Sequence, residues 1–141
     1  MAELLVAPDV VALCIAHVKS VLPTIPNQSA VPVHRSVPDP RPAAFVTCRL
    51  AGGEGRSSAL PVVDVVQVNF EAWGATVAAA HDLAQNARAA ILSAKGAALS
   101  GVQVYNVEDF GPPVELPDPL SGRPRFVFSV QLSVRIRRPV A

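Results

Sequence analysis

Apolar and polar residues alternate most regularly near the C-terminus, between Arg125 and Arg137. Phe126, Phe128, Val130, Leu132, Val134 and Ile136 fall on one side of a two-residue period, and Ser129, Gln131, Ser133, Arg135 and Arg137 on the other. This pattern predicts a long, half-buried strand in an antiparallel sheet with one covered and one polar face, since a one-residue slip would turn the apolar set into water. The polar face is either solvated or used by neighbouring subunits.

Helical spacing appears twice. Val10, Leu13, Cys14, Val18 and Val21 recur at three- and four-residue intervals, which predicts an amphipathic helix from about Pro8 or Asp9 to Leu22, with Asp9 in the capping region and Pro23 beyond its end. His17 falls at the edge of the apolar stripe as a boundary residue. The longest helix is expected between Trp73-Gly74 and Lys95-Gly96, where Ala75, Val77, Ala80, Leu83, Ala84, Ala87, Ala90, Ile91 and Ala94 can share one broad face. His81 and Asp82 lie on its wetter side, and adjacent helical positions do not face each other, so they are expected to be solvated or interfacial.

Three further strands are predicted. Ala43 to Leu50 is the first, with Ala43, Phe45 and Thr47 on one side and Ala44, Val46 and Cys48 on the other. Pro61 to Phe70 is the second, with Val66, Val68 and Phe70 against Gln67 and Asn69. There Asp64 falls in the apolar register, expected near the strand's edge or paired with an arginine. Gly101 to Phe110 is the third, with Val102, Val104 and Asn106 against Gln103, Tyr105 and Val107. Gly52 to Ser58 is expected as a hairpin tip, and Glu115 to Pro124 as a long turn. The glycines match neither GxxxxGK[ST] nor GxGxxG, and a strand follows where a phosphate-cradling helix would begin, which argues against nucleotide binding.

Between positions 23 and 42 six prolines exclude a regular helix. The segment is expected to be extended or polyproline-like, either a plain linker or an arm that binds something over a surface. The order of elements then gives an α+β fold, a four-stranded and mostly antiparallel sheet with helices packed on one face, in the order α-β-β-α-β-β. At 141 residues the chain is expected to form a single domain, 1–141.

Composition narrows the chemistry. Twelve basic residues stand against eleven acidic ones, which argues against a nucleic-acid binder acting by bulk charge. Cys14 and Cys48 lie far apart with no zinc-like spacing and are expected as small buried hydrophobes. His17, His34 and His81 are scattered, so no catalytic, cofactor or metal residue is assigned and the chain is not expected to be an enzyme. The first nine residues lack a signal peptide's basic region and cleavage site, and the longest apolar run, Val10 to Ala16, is far short of the roughly 20 residues a membrane helix needs. A soluble protein is expected.

Three stretches together carry a resemblance: Val65-Val-Gln-Val-Asn-Phe-Glu-Ala-Trp-Gly74, the helix Ala78 to Leu92, and Leu116-Pro-Asp-Pro-Leu-Ser-Gly-Arg-Pro-Arg125 running into the last strand. Over roughly residues 40–138 the chain resembles the tail terminator, or tail completion, proteins of long-tailed bacteriophages, particularly those of actinobacterial phages. That resemblance implies a virion protein of the tail and neck, assembled in the host cytoplasm as a hexameric ring on the last ring of the tail tube. Such a ring stops tube polymerisation and presents a surface to the head connector. The alternatives are a head completion (stopper) protein of the same neck region and a non-catalytic host binding module. Candidate contact residues are Gly53, Glu54 and Arg56 in the glycine-rich stretch, Asp118, Leu120 and Arg123 in the proline-rich loop, and Gln131, Ser133, Arg135 and Arg137 on the last strand's polar face. DNA passing through a lumen is another partner for Arg135, Arg137 and Arg138, ranked below protein because net charge is near zero.

Overall fold

The computed structural model describes residues 4–56 and 62–137. Its elements in chain order are α1 (Val10–Val21), a 3₁₀ turn (Leu22–Thr24), β1 (Val33–His34), β2 (Phe45–Arg56), β3 (Val63–Trp73), α2 (Val77–Leu92), β4 (Ala98–Leu99), β5 (Val102–Asp109), β6 (Val114–Glu115) and β7 (Arg125–Arg135). The fold is mixed α/β, with two α-helices among the described residues.

The four long strands follow the order β2-β3-β7-β5, and every pairing among them is antiparallel. The expectation of four strands falls short, because three two-residue strands extend the sheet to seven. β1 pairs β2 in parallel, β4 pairs β5, and β6 pairs β7. Strands of two residues carry no periodicity, so only their long neighbours mark their position.

Both helices cover one face of the sheet. Asp9 caps α1 by accepting the Ala12 N–H at 3.2 Å, and Thr76 caps α2 by accepting the Ala79 N–H at 3.1 Å. Val10, Val11, Cys14, Val18 and Leu22 at the first helix join Leu83, Ala87 and Ile91 of the second in one core. The sheet contributes Val46 and Cys48, then Val66, Val68, Phe70 and Ala72, and the whole apolar register Phe126 to Val134 of β7. Phe70 and Phe128 stack within it at 5.0 Å. Both cysteines are fully buried, and hydrogen bonding to Cys14 together with burial pushes the Cys48 thiol far above its usual range.

Small side chains on α2 let it lie close to the sheet, and the tightest approach is at Gly74, just beyond β3. A Cβ there would come 2.6 Å from the Ala80 nitrogen. Only glycine fits between the strand's end and the helix's first turn.

Three expectations change in detail. In β5 the pairing with β7 slips between Val104 and Asn106, so Val107 returns to the buried side with Val102 and Val104 while Asn106 turns out. In β2 both sides are buried at the start, because Phe45 and Thr47 lie under a local cover on the face away from the helices. The proline-rich stretch is held along its length: β1 joins the sheet, Gln28 accepts the Asn86 amide at 2.8 Å, Arg35 pairs with Asp9, and Arg41 pairs with Asp118.

Candidate subunit and partner interface

The glycine-rich stretch is strand where a turn is expected. Gly52, Gly55 and Arg56 pair with Gln67, Val65 and Asp64, with register shifts between Leu50 and Gly52 and between Gly52 and Gly55. Two extra residues are absorbed as bulges, a role glycine suits because Gly52, Gly53 and Gly55 all have positive φ. Gly53 is packed backbone to backbone; a Cβ on it would sit 2.3 Å from the Val65 carbonyl oxygen. Glu54 is exposed, and Arg56 donates to the Leu5 carbonyl, tying down the N-terminal stretch. Ser57 and Ser58 lie outside the described residues.

The proline-rich loop is organised from within. Asp118 is buried: one carboxylate oxygen accepts the Leu120 N–H at 3.1 Å, and the other accepts Arg41 Nη1 at 2.5 Å and the Ser121 hydroxyl at 2.9 Å. The Arg41 hydrogen bond, followed by those from Leu120 and Ser121, holds its carboxyl well below the usual carboxylate range. Arg123 donates to the Pro42 and Ala43 carbonyls, both at 3.0 Å, and lies over the Phe45 ring at 6.0 Å. Asp118 and Arg123 therefore fasten the loop to the end of the proline-rich stretch, and their hydrogen bonding is internal. Leu120 is different. It is 91% exposed at the tip of this fastened loop.

Beneath the loop, Phe45 and Trp73 stack at 4.5 Å on the helix-free face, and the Arg125 guanidinium covers Trp73 at 5.6 Å. Arg125 also pairs with Glu71 at 3.1 Å and donates to the Leu116 carbonyl at 2.8 Å. This second, smaller cluster is absent from the sequence reading. Its only local signal is Trp73 standing in the polar register of β3 opposite Arg125. Thr47 Oγ1 and Trp73 Nε1 are buried there with no hydrogen-bond partner among the described residues.

On the same face, β3 and β7 bring polar groups into register. Gln67 lies opposite Gln131, Val65 opposite Ser133, and Asn69 accepts the Ser129 hydroxyl at 2.6 Å. Arg135 is exposed and donates to the Tyr105 hydroxyl at 3.2 Å. Arg137, also exposed, lies at the end of the sheet, where its carbonyl accepts the Val6 N–H at 2.9 Å. Arg138 is outside the described residues. The three sets of candidate residues thus occupy three places: one end of the β2–β3 hairpin, the loop at the opposite end, and the open face between them.

The histidines stay apart. His17 Nε2 meets Ser93 Oγ at 3.0 Å and clips α1 to α2, His34 is exposed, and His81 packs edge-on against Phe126 at 5.3 Å. The His81 side chain is partly exposed and that of Asp82 largely so, and although adjacent helical positions are not expected to face each other, His81 Nδ1 comes within 3.4 Å of Asp82 Oδ1. Among the described residues no three His, Cys, Asp or Glu side chains gather as a metal-ligand group, and no helix is long and apolar enough to cross a membrane. No protein-family model and no curated protein matches the chain.

Proposed function

We propose that this chain is a structural virion protein, the tail terminator of a long-tailed bacteriophage. Six copies form a ring that caps the tail tube, stops its polymerisation and joins the tail to the head connector. The observation that carries this reading is the helix-free face of the sheet. Along β3 and β7 its centre holds uncharged hydrogen-bonding side chains, Gln67, Asn69, Ser129, Gln131 and Ser133, in register and bordered by Arg49 opposite Asn69, Glu108 opposite Gln131, and Arg135. The centre of such a face offers neighbours hydrogen bonds without burying a charge of its own, and its charged margin can stay at the rim of a contact. Arginine at its border can engage carboxylates of a neighbour through two donors at once.

The mechanism is steric and interfacial: once seated on the last ring of the tube, the protein occupies the surface that the next tube subunit needs. No chemical step is assigned to it. Electron microscopy of particles from a phage lacking the gene tests the reading. Overlong tails without heads support it, whereas DNA-filled heads beside tails of normal length overturn it in favour of a head completion protein.

A further inference from the structure

A cleft of about 410 Å³ opens where the β2–β3 hairpin extends past the first turn of α1. Its walls are Val10, Val11, Leu50 and Val66, and Asp9, Asp64 and Arg35 line it with them. Leu50 is 65% exposed beside it, although its register belongs to the apolar side of β2. At the opposite end of the molecule Leu120 stands 91% exposed on a loop whose backbone is pinned by Asp118.

We propose that Leu120 of one copy seats in this cleft of the next, so that subunits join head to tail. The proposal rests on the ring reading and names the contact that would build the ring. Three observations carry it. The knob is preorganised: the Gly122 N–H donates to the Asp118 carbonyl at 2.7 Å and the Leu120 N–H to the Asp118 carboxylate, so little loop entropy is lost on docking. Charges are complementary as well. With Asp9 paired to Arg35, the cleft is left with the carboxylate of Asp64, and with Arg41 paired to Asp118, the loop is left with the guanidinium of Arg123, which lies at the Pro42 and Ala43 carbonyls. Finally, one copy cannot satisfy itself. The cleft lies at Val65 and the loop packs over the Phe45–Trp73 stack, eight residues further along β3, or about 26 Å of strand. A knob and a cleft on different parts of one surface make a heterologous contact, which closes into a ring when its rotation permits.

The size of the cleft falls within the range of about 300–1,000 Å³ typical of sites that enclose small ligands, leaving room for Leu120 together with Pro119. The test is the solution mass, by light scattering, of the wild-type chain, Leu120→Asp, Leu50→Asp and an equimolar mixture of the two variants. Both positions are exposed, and circular dichroism checks that the fold is kept. The wild type is expected to form one oligomer of finite mass. Each variant alone should associate on the order of a hundredfold more weakly, because a carboxylate replaces an apolar contact. It should then run as the 14.7 kDa monomer. Mixed, the two variants should give a heterodimer and nothing larger, since one intact knob meets one intact cleft. A wild type that stays monomeric, a Leu120→Asp chain that keeps the wild-type mass, or a mixture that stays monomeric overturns the proposal. Failure of the terminator reading appears separately, in tail length.

Discussion

Arg41 and Asp118 are 77 positions apart in the chain and meet with Nη1 2.5 Å from Oδ2, the guanidinium partly exposed and the carboxylate buried. The proline-rich stretch ends on this pair and the loop before the last strand is folded around it. Arg41→Ala should therefore loosen both segments at once. Amide exchange at Leu120 and Gly122 is expected to quicken roughly tenfold or more, the scale of a lost charge-assisted hydrogen bond, while the centre of β7 keeps its protection. Equal loosening across the whole sheet would count against a local clasp.

The same pair sets an acid dependence. In the unfolded chain the Asp118 carboxyl titrates near 3.8, and in the folded chain its hydrogen bonds hold it lower. A depressed folded value means that the contribution is fully present above the unfolded value and is lost as pH falls from there through the folded one. The loop should thus stay fastened at pH 5 and open only well below pH 4. Asp118→Asn should remove that dependence. Susceptibility of residues 38–44 to an acid-active protease, followed against pH, checks both statements.

At Gly74 the close approach of β3 to α2 leaves no space for a methyl group. Gly74→Ala should cost about 1–3 kcal/mol through overpacking, seen as a lower urea midpoint at unchanged slope. An unchanged midpoint would show that the helix can move aside freely.

Thr47 offers the opposite sign. Its hydroxyl is fully buried beside the Phe45–Trp73 stack without a hydrogen-bond partner among the described residues. Thr47→Val keeps the shape and removes the unsatisfied group, so stability should rise by about 1 kcal/mol. A loss of that size in urea unfolding would mean that the hydroxyl is satisfied in solution.

Arg135 and Arg137 are exposed at the border of the open face. Arg135→Glu combined with Arg137→Glu should leave unfolding within about 0.5 kcal/mol of wild type, since surface changes away from packed features cost little. Ring formation or tail assembly should fail. Wild-type assembly by this double variant would sink the contact role of the two arginines.

What the sequence determined by itself is everything that repeats over a short period. The alternation of Phe126 to Ile136, the three- and four-residue spacing from Val10 to Val21 and the alanine-rich face of α2 each specify an element and its buried side locally. From these the helix-covered antiparallel sheet follows. The tertiary structure alone decided what depends on partners distant in the chain or on a broken period. The two bulges that turn Gly52–Gly55 into strand are visible only against Val65 and Gln67, and the slip that returns Val107 to the core only against Leu132. Asp118 reads as turn chemistry in its own neighbourhood and becomes a buried anchor because Arg41 arrives from 77 positions earlier in the chain. Pattern carries the direction of a side chain; which group it meets is set by how the faces close on one another.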